Sequence, residues 1–115
     1  MSSLSWKELA ARADVAIEPT LTVLYGPAQA GQSDEEIYVE ILNDDLTQTA
    51  SCFFQTATAA AGPWRSAGLG LEEVPADGKA DDYIKVRAMP WWRIIGTASG
   101  AGLDARITVR VLRRV

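Results

Sequence analysis

An antiparallel β-sandwich or small barrel of about six to eight short strands is the architecture this sequence predicts. Apolar and polar residues alternate with period two in several runs, and turn signals interrupt these runs about every ten residues. No long helical period lies between them, which argues against a βαβ arrangement.

The first residues read differently from the rest. Ser5-Trp6-Lys7-Glu8 fits a capping box, and Leu9, Ala10, Ala11 and Ala13 are acceptable helix formers behind it. Trp6, Leu9, Ala10 and Ala13 would share one helical face. Residues 1–14 are therefore expected to form a short helical or extended arm, and residues 15–115 the sandwich domain. A helix this short is marginal alone and must dock on something.

From Val15 onward strands follow one another. Residues 20–25 are rich in β-formers and should end at Gly26-Pro27. In 36–41, Ile37, Val39 and Ile41 occupy one face, and Asn43-Asp44-Asp45 supplies a turn. Residues 51–58 form the next strand, broken at Gly62-Pro63 ahead of Trp64. A weak strand covers 69–74 and ends at Pro75, and Asp77-Gly78 signals a turn. Residues 82–87 alternate again, and Pro90 separates them from Trp91-Trp92-Arg93-Ile94-Ile95-Gly96. Residues 98–102 read as a small-residue loop. The closing run, 103–112, puts Leu103, Ala105, Ile107, Val109 and Val111 on one face and Arg106, Thr108 and Arg110 on the other.

Composition narrows the function classes. At 115 residues and 48% apolar, the chain can bury one real core. No apolar run nears the ~20 residues that span a bilayer, so no membrane partner is expected. The N-terminus has neither the basic start nor the apolar stretch of a signal peptide, so ordinary secretory export is not expected. A net charge of −4 argues against the phosphate attraction behind nucleic-acid binding. The lone Cys52, set beside Phe53 and Phe54, reads as a core residue. The absence of histidine removes the commonest general base and the commonest metal ligand.

Four tryptophans are the richest signal. Adjacent Trp91 and Trp92 must point to opposite faces of a strand; the flanking pattern places Trp92 inside. Trp91 would then face outward as a packing or interface anchor, or as a sugar-stacking surface together with Trp64. Arg106, Arg110, Arg113 and Arg114 are expected along one side of the last strand. If that strand neighbours the one carrying Glu36 and Glu40, cross-strand charge pairs form. The patch could instead meet an acidic protein partner. Asp77 to Asp82 lacks the ligand spacing of a calcium loop, so turn chemistry is expected there rather than a metal site. No catalytic motif is present, no cofactor is expected, and Glu72, Glu73 and Asp82 are the only candidates for carboxylate-based chemistry.

The run Cys52-Phe53-Phe54-Gln55-Thr56, then Trp64, then Trp92-Arg93-Ile94-Ile95-Gly96-Thr97 with its small-residue loop and alternating final strand resembles the small β-sandwich virion proteins of tailed bacteriophages. Between Thr56 and Trp64, alanines and Gly62-Pro63 replace that family's Asp-Gly turn. The resemblance implies a non-enzymatic subunit, most simply a capsid decoration or cement protein on the outer surface of a capsid or tail. Made in the host cytoplasm, it would bind the major capsid protein or other virion subunits as a dimer or trimer. The expected contact residues are Trp6, Leu9, Trp91, Arg106 and Arg110. The alternative is a carbohydrate- or receptor-binding module of a tail or fibre, using Trp64 and Trp91.

Overall fold

The computed structural model describes residues 6–18, 20–29, 34–66, 71–87, 90–99 and 105–114. Nine strands lie within them: β1 (Trp6–Ile17), β2 (Thr22–Gln29), β3 (Asp34–Asn43), β4 (Ala50–Ala57), β5 (Arg65–Ser66), β6 (Leu71–Val74), β7 (Lys79–Arg87), β8 (Trp91–Ala98) and β9 (Ala105–Arg114). A four-stranded sheet runs β1-β9-β3-β7, and a five-stranded sheet runs β2-β8-β4-β5 with β6 also on β4. Every pairing is antiparallel. This strand order, with the first strand beside the last and the second beside the next to last, is that of a jelly roll.

The predicted sandwich is thus present, and its core follows the alternation in the sequence. Ile37, Val39 and Ile41 of β3 and Ile107, Val109 and Val111 of β9 are buried from one sheet. Cys52, Phe54, Trp92 and Ile94 are buried from the other. Trp92 does point inward, stacked between Tyr25 (centroids 5.2 Å apart) and Phe54 (5.5 Å). Among the described residues its Nε1 has no hydrogen-bond partner.

Of the helical and extended forms expected for the arm at residues 1–14, its described part takes the extended one: Trp6 onward is strand β1, continuous to Ile17 and paired along its length with β9. Ala, Leu and Glu favour a helix locally, but β9 offers a long open edge, and its hydrogen bonds outweigh propensities of a few tenths of a kcal/mol per residue. Val15 and Ile17 enter the core, and Arg12 Nη1 donates to the Leu24 carbonyl across to the other sheet at 2.9 Å.

One expectation is corrected: Gly26-Pro27 does not end β2. The strand continues through it to Gln29, and register shifts occur on both sides of Tyr25. Proline is tolerated because β2 is an edge strand. Gly26 (φ +104°) passes so close to β8 that a Cβ would stand 2.9 Å from both Arg93 Cβ and the Trp92 carbonyl oxygen. Residues 69–70 of the expected weak strand, the glycines of the 98–102 loop, and Leu103 lie outside the described residues.

The turn at Asn43 holds the lower end together. Asn43 is buried, and its Nδ2 donates toward the carbonyls of Gln48 (2.8 Å), Val74 (3.0 Å) and Pro75 (3.1 Å). Its Oδ1 accepts the Asp45 N–H at 3.1 Å. Asp45 in turn accepts from the Thr47 and Gln48 amides, and those bonds hold its carboxyl below the ordinary range. One side chain therefore joins the β3–β4 connection to the end of β6, in the opposite sheet. Asn43→Ala should cost about 2–3 kcal/mol by stranding buried carbonyls. The expected result is a lower urea midpoint at unchanged m-value. Asn43→Asp should cost more, because a carboxylate would face carbonyl oxygens.

Candidate interaction face

Period-two alternation gives the four-stranded sheet an outer face with a composition of its own. The β3–β9 register pairs Tyr38 with Leu112, Glu40 with Arg110 and Leu42 with Thr108. The β3–β7 register adds Tyr83 opposite Tyr38, Asp81 opposite Glu40 and Lys79 opposite Leu42. On the other flank, β1 sets Trp6 against Arg114 and Glu8 against Leu112. Across β3 and β9, apolar and charged positions therefore alternate down this face, with Trp6 and Glu8 of β1 flanking them.

The upper apolar row is an aromatic ridge. The rings of Trp6 and Tyr38 meet with centroids 5.9 Å apart across the intervening β9. Leu112 points outward between their strands yet is only 7% exposed. Trp6 (39%) and Tyr83 (62%) stay open to solvent. The Tyr38 hydroxyl donates to Asp81 Oδ2. That bond, with burial and the nearby carboxylates, pushes the Tyr38 phenol up to about 12.

Ion pairs fix the charged rows. Arg110 reaches Glu8 through Nε at 2.8 Å and Glu40 through Nη1 at 3.5 Å, so one guanidinium spans β1, β9 and β3. These pairs hold the Arg110 guanidinium above its ordinary range. Arg114 meets Glu36 at 2.9 Å. The cross-strand pairing expected from sequence is present for Arg110 and Arg114, whereas Arg113 falls opposite Ile37, on the core-facing side. Such exposed pairs add little stability; their effect here is to neutralise charges across the face.

Below the ridge, Glu40, Leu42, Lys79, Asp81, Thr108 and Arg110 line an open trough of about 480 Å³. Leu42 is 46% exposed within it. The Thr108 hydroxyl donates to Asp44 at 2.7 Å at the foot of the face.

Three of the predicted contact residues, Trp6, Arg106 and Arg110, share this face. Leu9 sits at a β-bulge, half-buried against the core. Trp91 lies half-buried on the outer face of the opposite sheet, where Arg93 follows it two residues on. The Arg93 guanidinium stands 4.5 Å over the Trp64 ring, and its Nε donates to Gln55 at 2.8 Å. One face of Trp64 is thereby covered by a cation, and Gly62 crowds its edge: a Cβ there would come within 2.9 Å of Trp64 Cδ1. Trp64 and Trp91 are both half-buried.

Sequence reasoning missed Tyr38, Tyr83, Leu42 and Leu112 as members of the face. The signal was present, since each is an apolar or aromatic residue in the polar phase of an alternating strand. Among the described residues, no cluster of three or more His, Cys, Asp or Glu side chains could hold a metal ion. Cys52 is buried, and burial pushes its thiol up to about 12.

No protein-family model matches the sequence, and no curated protein matches it. A solved structure is similar. It belongs to the disulfide-linked pili that form Bacillus endospore appendages, with a TM-score of 0.44 and 15% identity over 97% of this chain and 89% of that one. That likeness is loose, and the functional reading rests on the face alone.

Because the folded Tyr38 phenol titrates above its unfolded value of 10.0, its protonated form stabilises the fold fully below pH 10. That contribution is lost as pH rises toward about 12. Unfolding midpoints measured across this window should fall more steeply for the native chain than for Tyr38→Phe.

Proposed function

We propose that this chain is a structural subunit that docks on neighbouring proteins through the outer face of its four-stranded sheet. The observation that carries this reading is the combination of exposed Trp6, Leu42 and Tyr83 with a rigid, ion-paired frame on one sheet. Two aromatic rings and a leucine open to water on one sheet face suit a contact surface, because burying them against a partner is favourable. The neighbouring charges come in opposite-sign pairs, which suits a protein partner better than a polyanion.

The finer reading follows the sequence resemblance: a capsid decoration or cement subunit on the surface of a phage particle, with no catalytic role. The jelly-roll order agrees with it without choosing it, since the same order serves virion and lectin domains alike. Trp6 belongs to this reading as part of an edge strand rather than as the anchor of a loose arm.

Co-sedimentation with assembled phage heads stripped of outer proteins tests the proposal. The native chain should pellet with the heads. Trp6→Ala combined with Leu42→Glu should lower the affinity by at least roughly tenfold, while the thermal unfolding stays cooperative. Unchanged binding by that variant would end the reading. The sugar-binding alternative predicts instead that glycans quench tryptophan emission and that Trp64→Ala abolishes the quench.

A further inference from the structure

We propose that β7 pairs edge to edge with β7 of a second copy about a twofold axis, merging two four-stranded sheets into one of eight strands. This deepens the assembly reading by naming one partner as the chain itself.

The edges of the two sheets differ in a way that selects β7. Strand β1 carries two register shifts, and β2 carries two more together with Gly26-Pro27. β5 is two residues long and β6 four. Bulges, proline and short strands all blunt an edge against further pairing. Strand β7 has none of them, holding a regular nine-residue register on β3 from Lys79 to Arg87.

Hydrogen-bond parity shows which of its groups face outward. Asn43 N–H donates to the Gly78 carbonyl at 2.8 Å, while Asp44 N–H turns the other way, to Arg106 of β9. Because antiparallel residues alternate between bonded and non-bonded positions, Ala80, Asp82 and Ile84 bond to β3. Lys79, Asp81, Tyr83, Lys85 and Arg87 therefore turn their N–H and C=O toward the open edge. A separate observation agrees: the Tyr83 N–H is taken by Asp82 Oδ1 at 2.9 Å, as an amide facing solvent would be.

An antiparallel partner centred on Tyr83 matches this parity. Tyr83 meets its own copy, Asp81 falls opposite Lys85, and Lys85 opposite Asp81, all at bonding positions on one face. The arrangement supplies about ten main-chain hydrogen bonds and two opposite-charge pairs. Only the outermost positions set like charges together, Lys79 against Arg87. Sliding the centre to Asp82 sets that carboxylate against its own copy, so the Tyr83 register is preferred to it. A strand whose charges are complementary to its own reverse is what an isologous contact requires. The two outer faces then become continuous, with both Tyr83 rings at the join.

Sedimentation equilibrium of the purified chain over a range of concentrations tests this. The expected result is a reversible monomer–dimer equilibrium. Asp81→Lys or Lys85→Asp alone places like charges opposite and should raise the dissociation constant by roughly tenfold or more. The double exchange should return it to near the native value. Tyr83→Pro removes an N–H that β3 does not use, so it should abolish the dimer while leaving the strand signature in circular dichroism. Ile84→Pro should unfold the chain. A chain that stays monomeric at the highest concentrations reached, or a dimer indifferent to the charge exchange, overturns the β7 contact. In either case, head binding that remains sensitive to Trp6→Ala would leave the assembly reading standing. Loss of head binding in a chain still dimeric through β7 would separate the two the other way.

Discussion

The register between β3 and β9 is the constraint on which the rest of this molecule depends. These are the two inner strands of the four-stranded sheet, and side chains on each alternate with a period of two. The alignment that buries Val39 beside Val111 is the same one that sets Glu40 beside Arg110 and Tyr38 beside Leu112. A slip of one residue would carry Ile107, Val109 and Val111 into water and the arginines into the core. Core and outer face are therefore one specification read from two sides. The ion pairs contribute little free energy themselves, yet they penalise the slipped alternative, where each would become a buried unpaired charge.

Much of this was legible in the chain. The alternation of 36–41 and 103–112 identifies the central strands, and matching charges on their polar phases anticipates that they are neighbours. The inward turn of Trp92 follows from Ile94 two residues later. The choice between a helical and an extended N-terminal segment was not legible, because Leu9, Ala10, Ala11 and Glu8 carry local helical preference, while the edge of β9 that captures them lies about a hundred positions away. Local propensity has no access to such a partner. Gly26-Pro27 misled for a related reason: a dipeptide that signals a turn is also admissible in an edge strand that bulges.

The candidate face was half legible. Arg106, Arg110 and Trp6 stood out as charge and as an isolated aromatic. Tyr38, Tyr83 and Leu42 did not, since each looks ordinary until the register shows them on a common surface. Asn43 illustrates the same limit. Its neighbourhood announces a turn, but nothing local says that its amide also reaches the carbonyls of Val74 and Pro75, more than thirty residues on.

The buried indole of Trp92 has a consequence for how the interior is specified. Among the described residues its Nε1 has no hydrogen-bond partner, while the stacked rings of Tyr25 and Phe54 favour its burial. Volume and ring area are therefore what the described residues bring to this wedge, and a smaller side chain there would leave both neighbouring rings facing a void.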